Sequence, residues 1–206
     1  MRHARLPRLL VVLSSICALA VPVEVQVLDA AGKPLDEVVV YAEPLSAKAP
    51  KGKLSHIIDQ VDKEFVPLVN VVQVGTAISF PNKDNIRHNI YSFSAPKPFD
   101  LKLYSGTPSS PVVFDKPGQV VLGCNIHDWM VSYLLIVDTP WFDKTDARGM
   151  ARLGELPAGE YELKVWHPYQ ASAAPAQKIK LGSGAASAFA FRLKLTPPPA
   201  SGNHNY

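Results

Sequence analysis

Apolar and polar positions alternate along most of the chain in short runs. Val23, Val25 and Val27 alternate with Glu24 and Gln26, residues 29–34 are rich in turn formers, and residues 37–42 return as a Val-rich run. That sequence of signals predicts a β-hairpin. Residues 43–56, rich in Pro, Lys, Ser and Gly, read as an exposed connection. A second series of strands is predicted over residues 65–74, 77–80, 88–93, 97–104, 112–114, 119–123 and 131–137. Further runs at 150–153, 156–166, 178–181 and 188–195 complete the pattern. Period two dominates and long helices are not predicted, so the expected fold class is all-β. Two polar loops, 81–87 and 124–130, lie at strand ends, where a sandwich displays loops at one pole and its sheets hold them rigid.

Length changes this picture little: 206 residues accommodate one large or two modest domains. The first twenty residues stand apart. Arg2, Arg5 and Arg8 precede an apolar run over 9–19, and Ala18, Leu19 and Ala20 place small residues at a cleavage point. This layout is that of a secretory signal peptide, and the apolar run is short for a bilayer span of roughly 20 residues. Those three arginines also account for the whole formal excess of +3. The remaining chain is close to neutral, which removes any argument for nucleic acid as a partner. Cleavage also removes Cys17 and leaves Cys124 as a lone thiol, unable to form an internal disulfide.

Cys124, His127 and Met130 stand at the spacing C-x2-H-x2-M within one loop. Thiolate, imidazole and thioether together are the donor set of a mononuclear copper site of the blue type, given a second imidazole. His88, at the end of the other polar loop, is the candidate for that fourth donor. Structural zinc fits less well, because thioether is a poor zinc ligand and no further Cys or His lies close in sequence. The remaining histidines, His56, His167 and His204, are scattered, which argues against a multicopper oxidase or nitrite reductase. His56 is expected to be solvated and His167 to cap a turn. No phosphate-binding loop, nucleophile elbow or acid–base constellation rises above background, so an enzyme is not expected.

The Cys124/His127/Met130 loop, with residues 115–118 before it and Asn82, Asp84, His88 and Asn89 upstream, resembles the cupredoxins over residues 65–138. The short ligand loop looks most like that of amicyanin. Within the wider group the chain is similar to the cupredoxin-like proteins labelled methylamine utilisation proteins. The resemblance implies a Greek-key β-sandwich and one-electron transfer by one copper ion held by His88, Cys124, His127 and Met130. It implies that Asn89 ties the two ligand loops together, and that the N–H of Asn125 or a neighbour bonds the thiolate. Asp128 and Trp129 stand where amicyanin has proline and an aromatic, with Trp129 expected in an apolar ring around a surface-reaching His127.

The flanks carry a second resemblance. Val25, Val27, Asp29, Gly32 and Pro34 near the start match carboxypeptidase regulatory-like domains, as do Thr145, Asp146, Gly149, Leu156, Gly159, Tyr161 and Leu163 near the end. These are transthyretin-like sandwiches that usually carry no catalytic residues. The expected organisation is a signal peptide (1–20), a discontinuous sandwich (21–44 with 140–195), an inserted cupredoxin domain (45–139) and a disordered tail (196–206). The expected function is periplasmic electron transfer by a monomer with a cytochrome or oxidoreductase as redox partner and no membrane anchor after cleavage. Copper storage or delivery, and a non-catalytic envelope binding module, are the alternatives.

Overall fold

The computed structural model describes residues 21–182 and 187–198. The expected signal peptide, Cys17, His204 and residues 199–206 of the expected tail lie outside the described residues. Every element among the described residues is a strand, and the all-β expectation holds. The chain opens with β1 (Val21–Leu28) and β2 (Val39–Pro44). It continues through β3 (Ser55–Ile57), β4 (Asp59–Val61), β5 (Glu64–Val66), β6 (Val69–Gln73) and β7 (Thr76–Ser79). Then follow β8 (His88–Ser92), β9 (Phe99–Tyr104), β10 (Val112–Phe114), β11 (Gly118–Gly123) and β12 (Val131–Val137). The last strands are β13 (Phe142–Lys144), β14 (Met150–Leu156), β15 (Gly159–Trp166), β16 (Gln177–Leu181) and β17 (Ser187–Arg192).

The flanks and the middle of the chain build separate sheets. β14-β1-β17 faces β13-β2-β15-β16 across a core of Val23, Val25, Val27, Val40, Leu153, Leu163, Ile179 and other apolar side chains. The middle segment makes β6-β12-β11-β8-β9 and β10-β7-β3, which close on Val72, Ile78, Phe80, Ile90, Phe114, Leu122, Leu134 and Ile136. After β9 the chain crosses to the second sheet for β10 and returns as β11, so β11 lies beside β8 in a crossover of the Greek-key kind.

β2 and β12 are buried on both faces, and this explains why they read as continuous apolar runs. Val40 and Ala42 point into one core and Leu134 and Ile136 into the other. Their alternates, Val39 on β2 with Leu135 and Val137 on β12, meet Val69 and Trp166 in a third cluster between the two sandwiches. A strand with two covered faces needs apolar residues at every position, the pattern of a sheet interior. Lys144 spans the same seam, its Nζ reaching Glu37 and donating to the Val69 carbonyl at 2.9 Å.

Three expectations are corrected. β1 and β2 do not form a hairpin: β1 pairs with β14 and β17, and β2 with β13 and β15. Alternation reports which face of a strand is buried, not which strand it pairs with, and here the turn at residues 29–34 carries the chain from one sheet to the other. The single strand expected over 65–74 is two, β5 and β6, interrupted at Pro67, which has no N–H to give a ladder. Thr196, expected to open a loose tail, donates through its N–H to the Tyr169 carbonyl at 2.8 Å.

Thr145 shows how the late motif serves the fold. Its buried hydroxyl accepts from the Val38 N–H at 2.9 Å and donates to the Leu35 carbonyl at 2.7 Å. Nearby, Gly149 has φ +72, and a Cβ there would stand 2.5 Å from the Val27 carbonyl oxygen, so only glycine fits. Thr145→Val keeps the shape and strands the buried Val38 N–H and the part-buried Leu35 carbonyl. The expected loss is about 1–3 kcal/mol of stability, read from the shift of the urea unfolding midpoint.

Candidate metal centre

The first site loop follows β7 and is organised by Asn82. Its carboxamide donates to the carbonyls of Ile86 at 2.9 Å and Tyr104 at 3.0 Å, and accepts from the Asp84 N–H at 3.0 Å. The loop ends where β8 begins, at His88, whose side chain is 0% exposed. Cys124 follows β11 directly, and β8 and β11 are neighbours in register Gly123↔Tyr91. The pairing sets the two loops side by side.

Asn89 joins them. Its Oδ1 accepts the backbone N–H of Asn125 at 2.8 Å and lies 3.4 Å from Cys124 Sγ. The Asn125 N–H is therefore spent on Asn89, and it is the Ile126 N–H that reaches the sulfur, at 3.4 Å. The Met130 N–H closes the loop onto the His127 carbonyl at 2.9 Å. Cys124 is 3% exposed and Met130 1%, both within the apolar core of the middle segment.

His88, Cys124 and His127 each present one donor atom, and these atoms all lie within 4.8 Å of one another. His88 Nδ1 is 3.9 Å from Cys124 Sγ. His88 Nε2 lies 2.7 Å from Asp84 Oδ2. An ionised carboxylate only accepts, so the imidazole proton belongs on Nε2 and the Nδ1 lone pair faces the thiol. Asp84 is in turn held by the N–H groups of Asp62 at 2.7 Å and Lys63 at 3.0 Å. Burial pushes its carboxyl pKa up, but these two amides and His88 outweigh that and hold it below the usual aspartate range.

His127 Nδ1 is buried and has no hydrogen-bond partner. A polar atom left that way costs about 1–3 kcal/mol unless something else takes its lone pair. Burial, then the neighbouring His88 and Lys63, lower the pKa of this imidazole, which favours the neutral form with a lone pair to offer. The His127 ring stands 5.1 Å from that of His88 and 4.9 Å from that of Trp129, centroid to centroid. A soft sulfur, two imidazole nitrogens and an unmet lone pair gathered in one largely buried cluster make a donor set that suits copper.

Residues that the sequence left without a role complete the setting. Asp84 was legible only as a member of a motif, although its spacing of four from His88 in a tight loop was a usable signal. Tyr104 donates from its hydroxyl to the Phe80 carbonyl at 2.7 Å and receives Gln60 Nε2. Burial above all pushes its pKa up to about 12, so it remains a phenol beside the thiol. His56 is not solvated as expected: its Nε2 pairs with Asn70 Oδ1 at 2.9 Å. His167 caps a turn, its Nδ1 accepting the Tyr169 N–H at 3.2 Å. Replacing Asn89 by Leu removes the acceptor that spans the two loops. Amide hydrogen exchange at Asn125 should accelerate, with a loss of about 1–3 kcal/mol in unfolding free energy.

No protein-family profile matches the chain, and no curated protein matches it. Solved structures do resemble it in part. A Cu-containing nitrite reductase (NirK) from Thermus scotoductus SA-01 shares 25% identity at a TM-score of 0.38, over 46% of this chain and 25% of that one. A purple cupredoxin from Nitrosopumilus maritimus shares 23% identity at a TM-score of 0.34, over 39% of this chain and 97% of that one. A methionine-to-alanine variant of amicyanin in its Cu(I) form shares 14% identity at a TM-score of 0.36, over 47% and 98%. The chain thus spans about a quarter of the length of the nitrite reductase and nearly the whole of the two small cupredoxins.

Proposed function

We propose that the protein is a cupredoxin-like electron carrier that binds one copper ion through His88 Nδ1, Cys124 Sγ, His127 Nδ1 and the thioether of Met130. The observation that carries this reading is the convergence of three donor atoms within 4.8 Å. The unpartnered, buried His127 Nδ1 supports it. Copper bound there supplies a one-electron Cu(I)/Cu(II) couple, and a thiolate with two imidazoles suits both oxidation states.

The chain's own residues supply the rest. The sheets hold Cys124 and Met130 out of water, and Asn89 keeps the two ligand loops in register whichever oxidation state is present. Ile126 is 49% exposed beside the half-buried His127 and Trp129, which gives an apolar rim for a redox-protein partner, a cytochrome or a periplasmic oxidoreductase. Fixed, buried donors favour retained metal and rapid electron exchange over storage or delivery. The signal-like start supports export to the periplasm; on this reading the exported protein is a monomer, and the flanking sandwich, of the carboxypeptidase regulatory-like kind, serves as a non-catalytic scaffold. On this reading the chain belongs with the group labelled methylamine utilisation proteins.

Adding Cu(II) to the purified protein should give the intense blue or green colour of thiolate-to-copper charge transfer, and Cys124→Ser should abolish it. A colourless Cu(II) form in which Cys124 stays reduced would overturn the proposal.

A further inference from the structure

β4 and β5 form a sheet of their own, outside both sheets of the middle sandwich. Their turn nevertheless carries two successive non-glycine residues in the left-handed region, Asp62 at φ 54 and Lys63 at φ 62. That conformation turns both amide N–H groups the same way, a concave arrangement suited to an anion. The anion they meet is the Asp84 carboxylate, with Asp62 N–H on Oδ1 at 2.7 Å and Lys63 N–H on Oδ2 at 3.0 Å. The same Oδ2 lies 2.7 Å from His88 Nε2. Lys83, next to Asp84 in sequence, does not neutralise it, since its Nζ is directed to Asp59 at 2.7 Å. The carboxylate is thus fixed in place, only 11% exposed on its side chain, against a histidine that is 0% exposed.

We propose that Asp84 is a positioning residue that sets the donor nitrogen of His88 and lowers the reduction potential of the copper site. Accepting from Nε2–H, it leaves Nδ1 as the nitrogen that faces Cys124. One imidazole away from the metal position it also places a negative charge, which favours the more highly charged oxidation state. Carboxylates behind ligating histidines raise ligand basicity in the same way, and losing one costs about 10–100-fold in metal affinity. The β4–β5 hairpin is then a clamp for that carboxylate. This inference rests on the copper reading proposed above.

Two measurements on the full chain test it. In the copper-loaded protein, Asp84→Asn should reduce Cu(II) affinity relative to Cu(I) about tenfold, a rise of about 59 mV in potential for a one-electron couple. Asp84→Glu, which restores the charge, should bring the potential back toward that of the wild type. In the copper-free wild type, nitrogen NMR of the imidazoles should show His88 protonated on Nε2, a readout that needs neither metal nor variant. An Nδ1-protonated His88, or a folded Asp84→Asn protein with charge-transfer colour and unchanged potential, would overturn the inference and leave the copper reading standing. Absence of that colour in the wild type would overturn both.

Discussion

The site depends on one pairing: β8 beside β11, joined at Gly123↔Tyr91. Neither strand carries a whole site. β8 begins with His88 and Asn89, and β11 delivers Cys124 one residue past its end. A backbone ladder places two strands about 4.8 Å apart, a separation that brings side chains from adjacent ends into one another's reach. The Asn89 carboxamide then converts proximity into registration by taking the Asn125 N–H. Everything else at this pole is built outward from that junction: the sulfur receives Ile126 N–H, Met130 closes the turn, and His127 is left with a nitrogen that the protein itself does not satisfy.

Rigidity at the pole has a source some distance away. β12 leaves the ligand loop and runs at once into two-sided burial, with Leu134 and Ile136 in one core and Leu135 and Val137 against the flanking sandwich. A loop tethered to such a strand cannot relax without disturbing two packed interfaces. The flanking unit thus contributes mechanically to a centre to which it gives no donor. Asn82 does comparable work for the other loop, spending both its donors and its acceptor on nearby backbone.

Much of this was legible in the residues. Period-two alternation located most strands but not the short β3, β4 and β13, and C-x2-H-x2-M with His88 upstream included three side chains whose donor atoms converge, His88, Cys124 and His127. What the residues hid was pairing and orientation. Val23 to Val27 and Val38 to Ala42 have the pattern of a hairpin, yet they face each other from opposite sheets of one sandwich, and alternation is the same in either arrangement. The destination of the Asn125 N–H was equally hidden, because a backbone donor goes to whichever acceptor the fold brings nearest. Asp84 was legible as part of the loop motif, but not that the left-handed turn at Asp62 and Lys63 brings two amides onto it.

The nesting of one sandwich inside the other has a kinetic meaning. β1 pairs with β14 and β17, and the Val38 N–H waits for the Thr145 hydroxyl 107 positions further along. The opening strands therefore emerge from a ribosome long before any partner exists, whereas the inner segment finds all of its strand-pairing partners between β3 and β12. Contacts that distant close late, since the entropy of joining the chain ends must be met before they yield any stabilisation. During vectorial synthesis the inner sandwich is consequently the first body able to condense, and it brings the two ends of the outer one together. The unit that holds the candidate metal centre doubles as the template on which its own scaffold is completed.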